Sequence, residues 1–201
     1  MTPALRETLK RPDVANFLVQ MQMHDLDTHW HLLSVAELAY RVAYELRLDA
    51  HAISRTADGG LLHDVGKIRI NPDILTAPRS LTKDEYLLIK QHPSHGAAIV
   101  EAWGFPEVAQ IVLDHHERID GSGYPSGKRK ISVETQIVSA ADAYDTMRYQ
   151  RSYKGARSQD NVLDALGQCA GRTHDRVILN ALARVITTYE GASRETRLRA
   201  V

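Results

Sequence analysis

Seven side chains able to do chemistry are dispersed along the chain, four of them as two adjacent pairs: His31, His63, Asp64, His92, His115, His116 and Asp142. All sit near the ends of helix-forming stretches, where residues from different helices can converge on one point. Imidazole and carboxylate donors without thiolates suit iron, manganese, zinc, cobalt or nickel, and the absence of a cysteine set argues against a structural zinc site. A catalytic or sensory centre follows. One histidine near a helix end is ordinarily a cap, a solvated group or a satisfied core residue, and His24, His29, His51, His95 and His174 belong to that class. Two features set the seven apart. His115 and His116 are adjacent, and neighbours on a helix are turned about 100° from one another, so only something bound in front of the helix end could use both. The run His63-Asp64-Val65-Gly66-Lys67 adds a carboxylate and a cation to a third histidine.

Helices must position these groups. Val35, Ala39, Val42 and Leu46 recur at spacings of four and three, the stripe of an amphipathic helix over residues 27–46. A second helix is expected over 52–65, stopping at Gly66 as a residue suited to the left-handed position after a helix end. Gly59 and Gly60 within it are expected to permit close packing, against a cost of about 1 kcal/mol each relative to Ala. Thr82 and Glu85 form a capping-box signature, and the helix they open should end near His92, because Pro93 disfavours helical geometry in the residue before it. Further helices are expected over 94–103, 106–116, 133–149, 158–169 and 175–189. Strand-like alternation is confined to 67–70, so the class is all-α.

The bulk properties narrow the function. The chain has 201 residues, 43% of them hydrophobic, which fits one domain over 1–201 with a substantial core. Twenty-five basic side chains balance 25 acidic ones, so no overall field favours a polynucleotide or an anionic membrane. No apolar run is long enough to insert in a bilayer, and the N-terminus lacks the order of a signal peptide. Cys169 is the one cysteine; it excludes an internal disulfide, suits a reducing cytoplasm and reads as a buried structural residue. Lys128-Arg129-Lys130 reads as a solvated basic turn, with docking of a partner as the alternative.

The motifs HDVGK at 63–67, HPSHG at 92–96, HHERIDGSGYP at 115–125, SAADAYD at 139–145 and RSYK at 151–154 resemble, in order and spacing, those of the HD-GYP domain. That family is a branch of the HD phosphohydrolase superfamily whose members hydrolyse the bacterial messenger cyclic di-GMP, and the match spans roughly residues 24–185. The resemblance implies an HD-domain helical bundle holding two or three divalent metal ions, iron or manganese above the others. His63 and Asp64 would be ligands, Asp64 bridging two metals. His92, His115 and His116 would hold one metal and Asp142 the other side. His31 matches the first-helix segment of the family, and Asp27, one helical turn earlier on the same face, stands where some members hold a third metal with a carboxylate.

The same resemblance makes Lys67 a donor to the leaving oxygen, although a cation after a helix C-terminus also complements the dipole. Tyr124 offers a ring to a base or a hydroxyl to phosphate, and Arg151 and Lys154 match positions that contact phosphate and guanine. Glu117 and Asp120 are expected to fix the loop or to satisfy the outer nitrogen of a metal-bound imidazole. Three positions depart from the pattern: Ser152 and Arg176 replace the usual Pro, and Arg79 stands where Gly is common. They bear on loop rigidity and substrate affinity, since every expected ligand is present. The implied reaction is metal-dependent hydrolysis of cyclic di-GMP to pGpG and then GMP. The alternatives are a module that binds a cyclic dinucleotide or a signalling partner protein with little turnover, and a phosphodiesterase for another cyclic dinucleotide, because the HD core is chemically generic.

Overall fold

Leu32, Val35, Ala36, Ala39, Val42 and Ala43 lose essentially all solvent contact, and their three-and-four spacing makes them the buried face of one central helix. The computed structural model describes residues 3–24, 26–75, 77–149 and 157–198. Its helices are α1 (Pro3–Thr8), α2 (Pro12–His24), the central α3 (Leu26–Glu45), α4 (Ala50–Leu62), α5 (Pro72–Leu75), α6 (Lys83–Ile89), α7 (His92–Ala102), α8 (Pro106–Asp114), α9 (Val133–Arg148), α10 (Gln159–Gly167) and α11 (Arg176–Leu198). Among the described residues there is no strand, only an isolated bridge between Ala170 and His174. The all-α expectation holds, and no described helix is long and apolar enough to cross a membrane.

Two apolar clusters meet along α3. Leu32 and Ala36 join α1, α2, α4, α7 and α8 through Leu5, Phe17, Leu61, Val100 and Val112. Val35, Ala39, Val42 and Ala43 join α9, α10 and α11 through Ile137, Ala141, Val162 and Leu182. The α3 and α4 backbones approach closely because Gly60 faces Ala36, whose Cα would lie 2.9 Å from any added Cβ. α1 and α2 were not anticipated from the sequence.

Three local expectations change. α4 ends at Leu62, and Val65–Arg69 forms a 3₁₀ turn in place of the helix end and the strand-like stretch. Gly66 lies inside that turn and is not left-handed. Its requirement is space: an added Cβ would sit 1.9 Å from the His92 carbonyl oxygen, so the turn packs backbone to backbone on the start of α7. α6 stops at Ile89, and His92 opens α7 with Pro93 in its first turn, where proline has no N–H bond to lose. The Thr82–Glu85 capping box forms as expected, and Asp175 accepts from the Val177 N–H at 2.7 Å where α11 begins at Arg176.

Two further corrections concern single residues. Cys169 is half-buried rather than fully buried, lying in the turns after α10. Lys128 is no free surface charge: its ammonium pairs with Asp114, a carboxylate only 3% exposed at the end of α8. Desolvating Asp114 without that partner would be costly, so the turn after the glycine loop is tied to α8.

Candidate metal centre

The ends of α4 and α8, the start of α7 and the flanks of α3 and α9 bring all seven side chains together. They form two groups, Asp64 with His92, His115 and His116, and His31 with His63 and Asp142; within each, one ligand atom per residue lies within 4.8 Å of the others. The adjacent histidines work as a pair because α8 ends at Asp114. The chain turns there, and the two rings stand 4.1 Å apart between centroids.

Helix ends also orient the imidazoles. The last carbonyls of a helix have no intrahelical partner, and His63, His92 and His115 each turn Nδ1 to one three residues earlier: Gly60 at 2.8 Å, Ile89 at 2.8 Å and Val112 at 2.7 Å. A carbonyl only accepts, so Nδ1 carries the proton and Nε2 presents a lone pair. The Nε2 atoms of His92 and His115 then face one another at 3.2 Å with no proton to share, and His63 Nε2 is buried without a hydrogen-bond partner. Converging lone pairs on buried nitrogen call for a cation, and the nitrogen-and-oxygen donor set fits a divalent first-row metal.

Asp64 stands between the groups. Its Oδ1 lies 3.2 Å from His92 Nε2, while Oδ2 lies 3.5 Å from His63 Nε2 and 4.0 Å from His31 Nε2. Lys67, in the 3₁₀ turn, donates to the same Oδ2 at 2.5 Å. Asp142 Oδ1 lies 3.3 Å from His31 Nε2 and 3.8 Å from His63 Nε2.

The electrostatics prepare these groups for a cation. Burial lowers His63, and burial with the neighbouring histidines lowers His115 far below the ordinary imidazole value. Burial likewise pushes His116 down to about 3. Burial would raise Asp64, but Lys67, His63 and His92 hold it well below the usual carboxylate range. Asp142 is held low against burial by its hydrogen bond to His31 and by the histidine charges. Burial disfavours the charged form of His31 too, yet hydrogen bonds to Asp142 and Asp145 carry it up to about 9. Neutral His63, His115 and His116 beside ionised carboxylates are in the protonation states metal binding requires, whereas His31 must release its proton to join them.

The glycine loop closes over one edge. An added Cβ at Gly123 would lie 2.4 Å from Glu117 Cα and 2.5 Å from the His116 oxygen, so the loop folds against the end of α8. Buried Glu117 accepts from the Ser126 N–H at 2.7 Å and the Gly127 N–H at 3.1 Å, and Asp120 accepts from the Ser122 N–H at 2.9 Å. Both hold the loop, as expected. The Tyr124 ring then stacks on His116 with centroids 4.6 Å apart.

Sequence reasoning missed two contributors. Lys90 places its ammonium 4.8 Å from the Tyr124 ring and 5.0 Å from that of Tyr86. Asp145 holds His31 Nδ1 at 2.7 Å and also accepts from the Ser34 hydroxyl. Its signal was present, because Asp145 lies three residues after Asp142 on α9, a spacing that shares a helix face. Arg79, the departure from glycine, makes a two-pronged bond to Glu85 at 2.7 and 2.8 Å, which ties the preceding loop to α6. Asp27 falls on α3 as expected, but its side chain is outside those described, and Arg151, Ser152 and Lys154 lie outside the described residues.

The HD-domain family model matches residues 10–178. The chain belongs to the HD-domain family. Its His63-Asp64 pair and Gly123-Tyr124-Pro125 loop are those of the HD-GYP branch. A cyclic di-GMP phosphodiesterase of Thermotoga maritima is 32% identical to this HD-domain chain over 178 residues, covering 86% of the chain and 48% of that protein. The cyclic di-GMP phosphodiesterase response regulator RpfG of Xanthomonas campestris pv. campestris is 36% identical over 89% of the chain and 47% of its own length. A 3'3'-cGAMP-specific phosphodiesterase of Vibrio cholerae is 30% identical over 77% of the chain and 38% of its own length. The chain thus spans about half the length, or less, of these relatives. Among solved structures, the HDG"Y"P protein Bd1817 from Bdellovibrio bacteriovorus superposes with a TM-score of 0.62 at 24% identity, over 80% of this chain and 52% of that one. The HD domain of the phosphodiesterase PgpH of L. monocytogenes gives 0.59 at 19% identity, over 88% and 96%. At such identities the likeness shows the shared fold.

Proposed function

We propose that the domain hydrolyses a phosphodiester bond of cyclic di-GMP, giving linear pGpG and, on a second cleavage, GMP, with two divalent cations as cofactors. Oδ1 of Asp64 with His92, His115 and His116 would hold one cation, and Oδ2 with His31, His63 and Asp142 the other. The division of the Asp64 oxygens between two histidine groups is the observation that carries this reading. Iron or manganese are the proposed metals; zinc, cobalt and nickel suit the same donors. Asp27 is the residue through which a third would be held.

When bound, such cations neutralise phosphate charge and lower the pKa of water enough to supply a nucleophile near neutral pH. The remaining work belongs to the chain. Lys67 holds a proton 2.5 Å from Asp64, at the edge of the site, and would give it to the departing ribose oxygen as general acid. Tyr124, backed by His116 and flanked by Lys90, offers a flat face for a guanine beside a cation for its phosphate. Arg151 and Lys154 would hold the remaining phosphate and base, Arg151 through its planar fork. The domain is read as acting in the cytoplasm, where such a messenger would be met.

The substrate is tested by rates on cyclic di-GMP and 3'3'-cGAMP side by side, since relatives named for each are 30–36% identical to this chain. Faster cleavage of cyclic di-GMP supports the proposal. A clear preference for 3'3'-cGAMP would replace the substrate while keeping the reaction, and metal-loaded protein that binds but cleaves neither would make the domain a receptor.

A further inference from the structure

Four imidazoles of the centre are not held alike. His63, His92 and His115 lie at helix ends and lean on free backbone carbonyls. His31 lies within α3, where the carbonyls one turn back are engaged in the helical ladder, so no backbone acceptor is available to fix its ring. Its Nδ1 instead meets Asp145 Oδ2 at 2.7 Å, across from α9. Asp145 is 3% exposed, and its other oxygen accepts from the Ser34 hydroxyl, one turn along α3 from His31. Both carboxylate oxygens are thereby fixed, and the His31 ring is held with Nε2 towards Asp142 and Asp64.

Resting on the two-cation reading above, we propose that Asp145 is a positioning residue that controls occupancy of the His31–His63–Asp142 group alone. The His92–His115–His116 group owes nothing to it, because two of its three rings are set by carbonyls of α6 and α8 and none of the contacts described there reaches Asp145. An outer carboxylate that fixes a ligating imidazole is worth about 10–100-fold in metal affinity, so removing Asp145 should weaken one site and leave the other. Asparagine in its place keeps an oxygen able to accept from Nδ1 while losing the charge; alanine loses both.

The test is metal titration of the wild-type chain, Asp145→Asn and Asp145→Ala with manganese, reading bound metal per chain by elemental analysis and affinity by calorimetry, with thermal unfolding of each. Wild type is expected to take up two ions. Asp145→Ala should keep one at the wild-type affinity and lose the other 10–100-fold, with Asp145→Asn between them. Two ions bound by Asp145→Ala with unchanged affinities, or equal weakening of both, overturns the proposal. Should the alanine variant fail to fold, an asparagine variant that binds both ions like wild type overturns it equally. Wild type that binds no metal contradicts the two-cation reading itself and is a separate result.

Discussion

Asp64 and His92, 28 positions apart in sequence, meet through one carboxylate oxygen at 3.2 Å, while the other oxygen of Asp64 lies 3.5 Å from His63. A single buried carboxylate therefore belongs to both histidine groups. Replacing Asp64 with alanine is expected to empty both, with bound metal and phosphodiesterase activity falling together below detection. Metal analysis of the purified variant checks this, and one ion retained at full affinity would show that the groups are independent of Asp64.

Lys67 reaches the same carboxylate from the 3₁₀ turn. At saturating metal, Lys67→Met should still bind both ions and lower kcat by about 10²–10⁴-fold, the usual worth of a positioned acid or base. Steady-state kinetics with parallel metal analysis distinguishes this from a loss of ligands.

The backbone of Gly66 touches that of His92. Ala at position 66 cannot be accommodated by a side-chain rotation, since the clash is with a carbonyl oxygen 1.9 Å away. Gly66→Ala is expected to destabilise by on the order of 3 kcal/mol and to weaken metal binding by displacing His92. Denaturant unfolding and metal titration read the two effects.

Lys90 sits between the Tyr86 and Tyr124 rings. Lys90→Met keeps the length of the chain and removes the charge, so KM for a cyclic dinucleotide should rise roughly tenfold, the equivalent of 1.4 kcal/mol, with little change in kcat. An unchanged KM would take Lys90 out of the substrate site.

His174 lies outside the centre, buried beside Ser139. Burial, aided by the Arg118 charge, lowers it to about 4 from its ordinary 6.5. As pH falls, the unfolded chain binds this proton before the folded one does. Its neutral form thus contributes stability in full above pH 6.5, and this is lost progressively between about 6.5 and 4, up to about 3 kcal/mol. Metal-free wild type should lose more stability than His174→Gln between pH 7.5 and 4.5 in urea unfolding. Equal losses would remove His174 from the account.

What the sequence disclosed was what is local or periodic. The stripe on α3 and the Thr82–Glu85 box depend on neighbours in the chain, and both formed. The histidines and aspartates stood out by type, and the fold brings the described ones into two groups. Gly66 was misread because its constraint is a tertiary approach to His92, invisible in the spacing of its neighbours. Lys128 looked solvated because its partner Asp114 is 14 residues earlier and buried. Asp145 carried a signal in its distance from Asp142, but only the crossing of α3 and α9 shows what it holds.

The measurement that bears most directly on the central claim is turnover of cyclic di-GMP by protein reconstituted anaerobically with ferrous iron or manganese, with bound metal counted in the same sample. Hydrolysis to pGpG accompanied by at least two ions per chain is expected, with no hydrolysis after chelation. Full metal loading without cleavage, or cleavage that survives complete removal of metal, would contradict the claim.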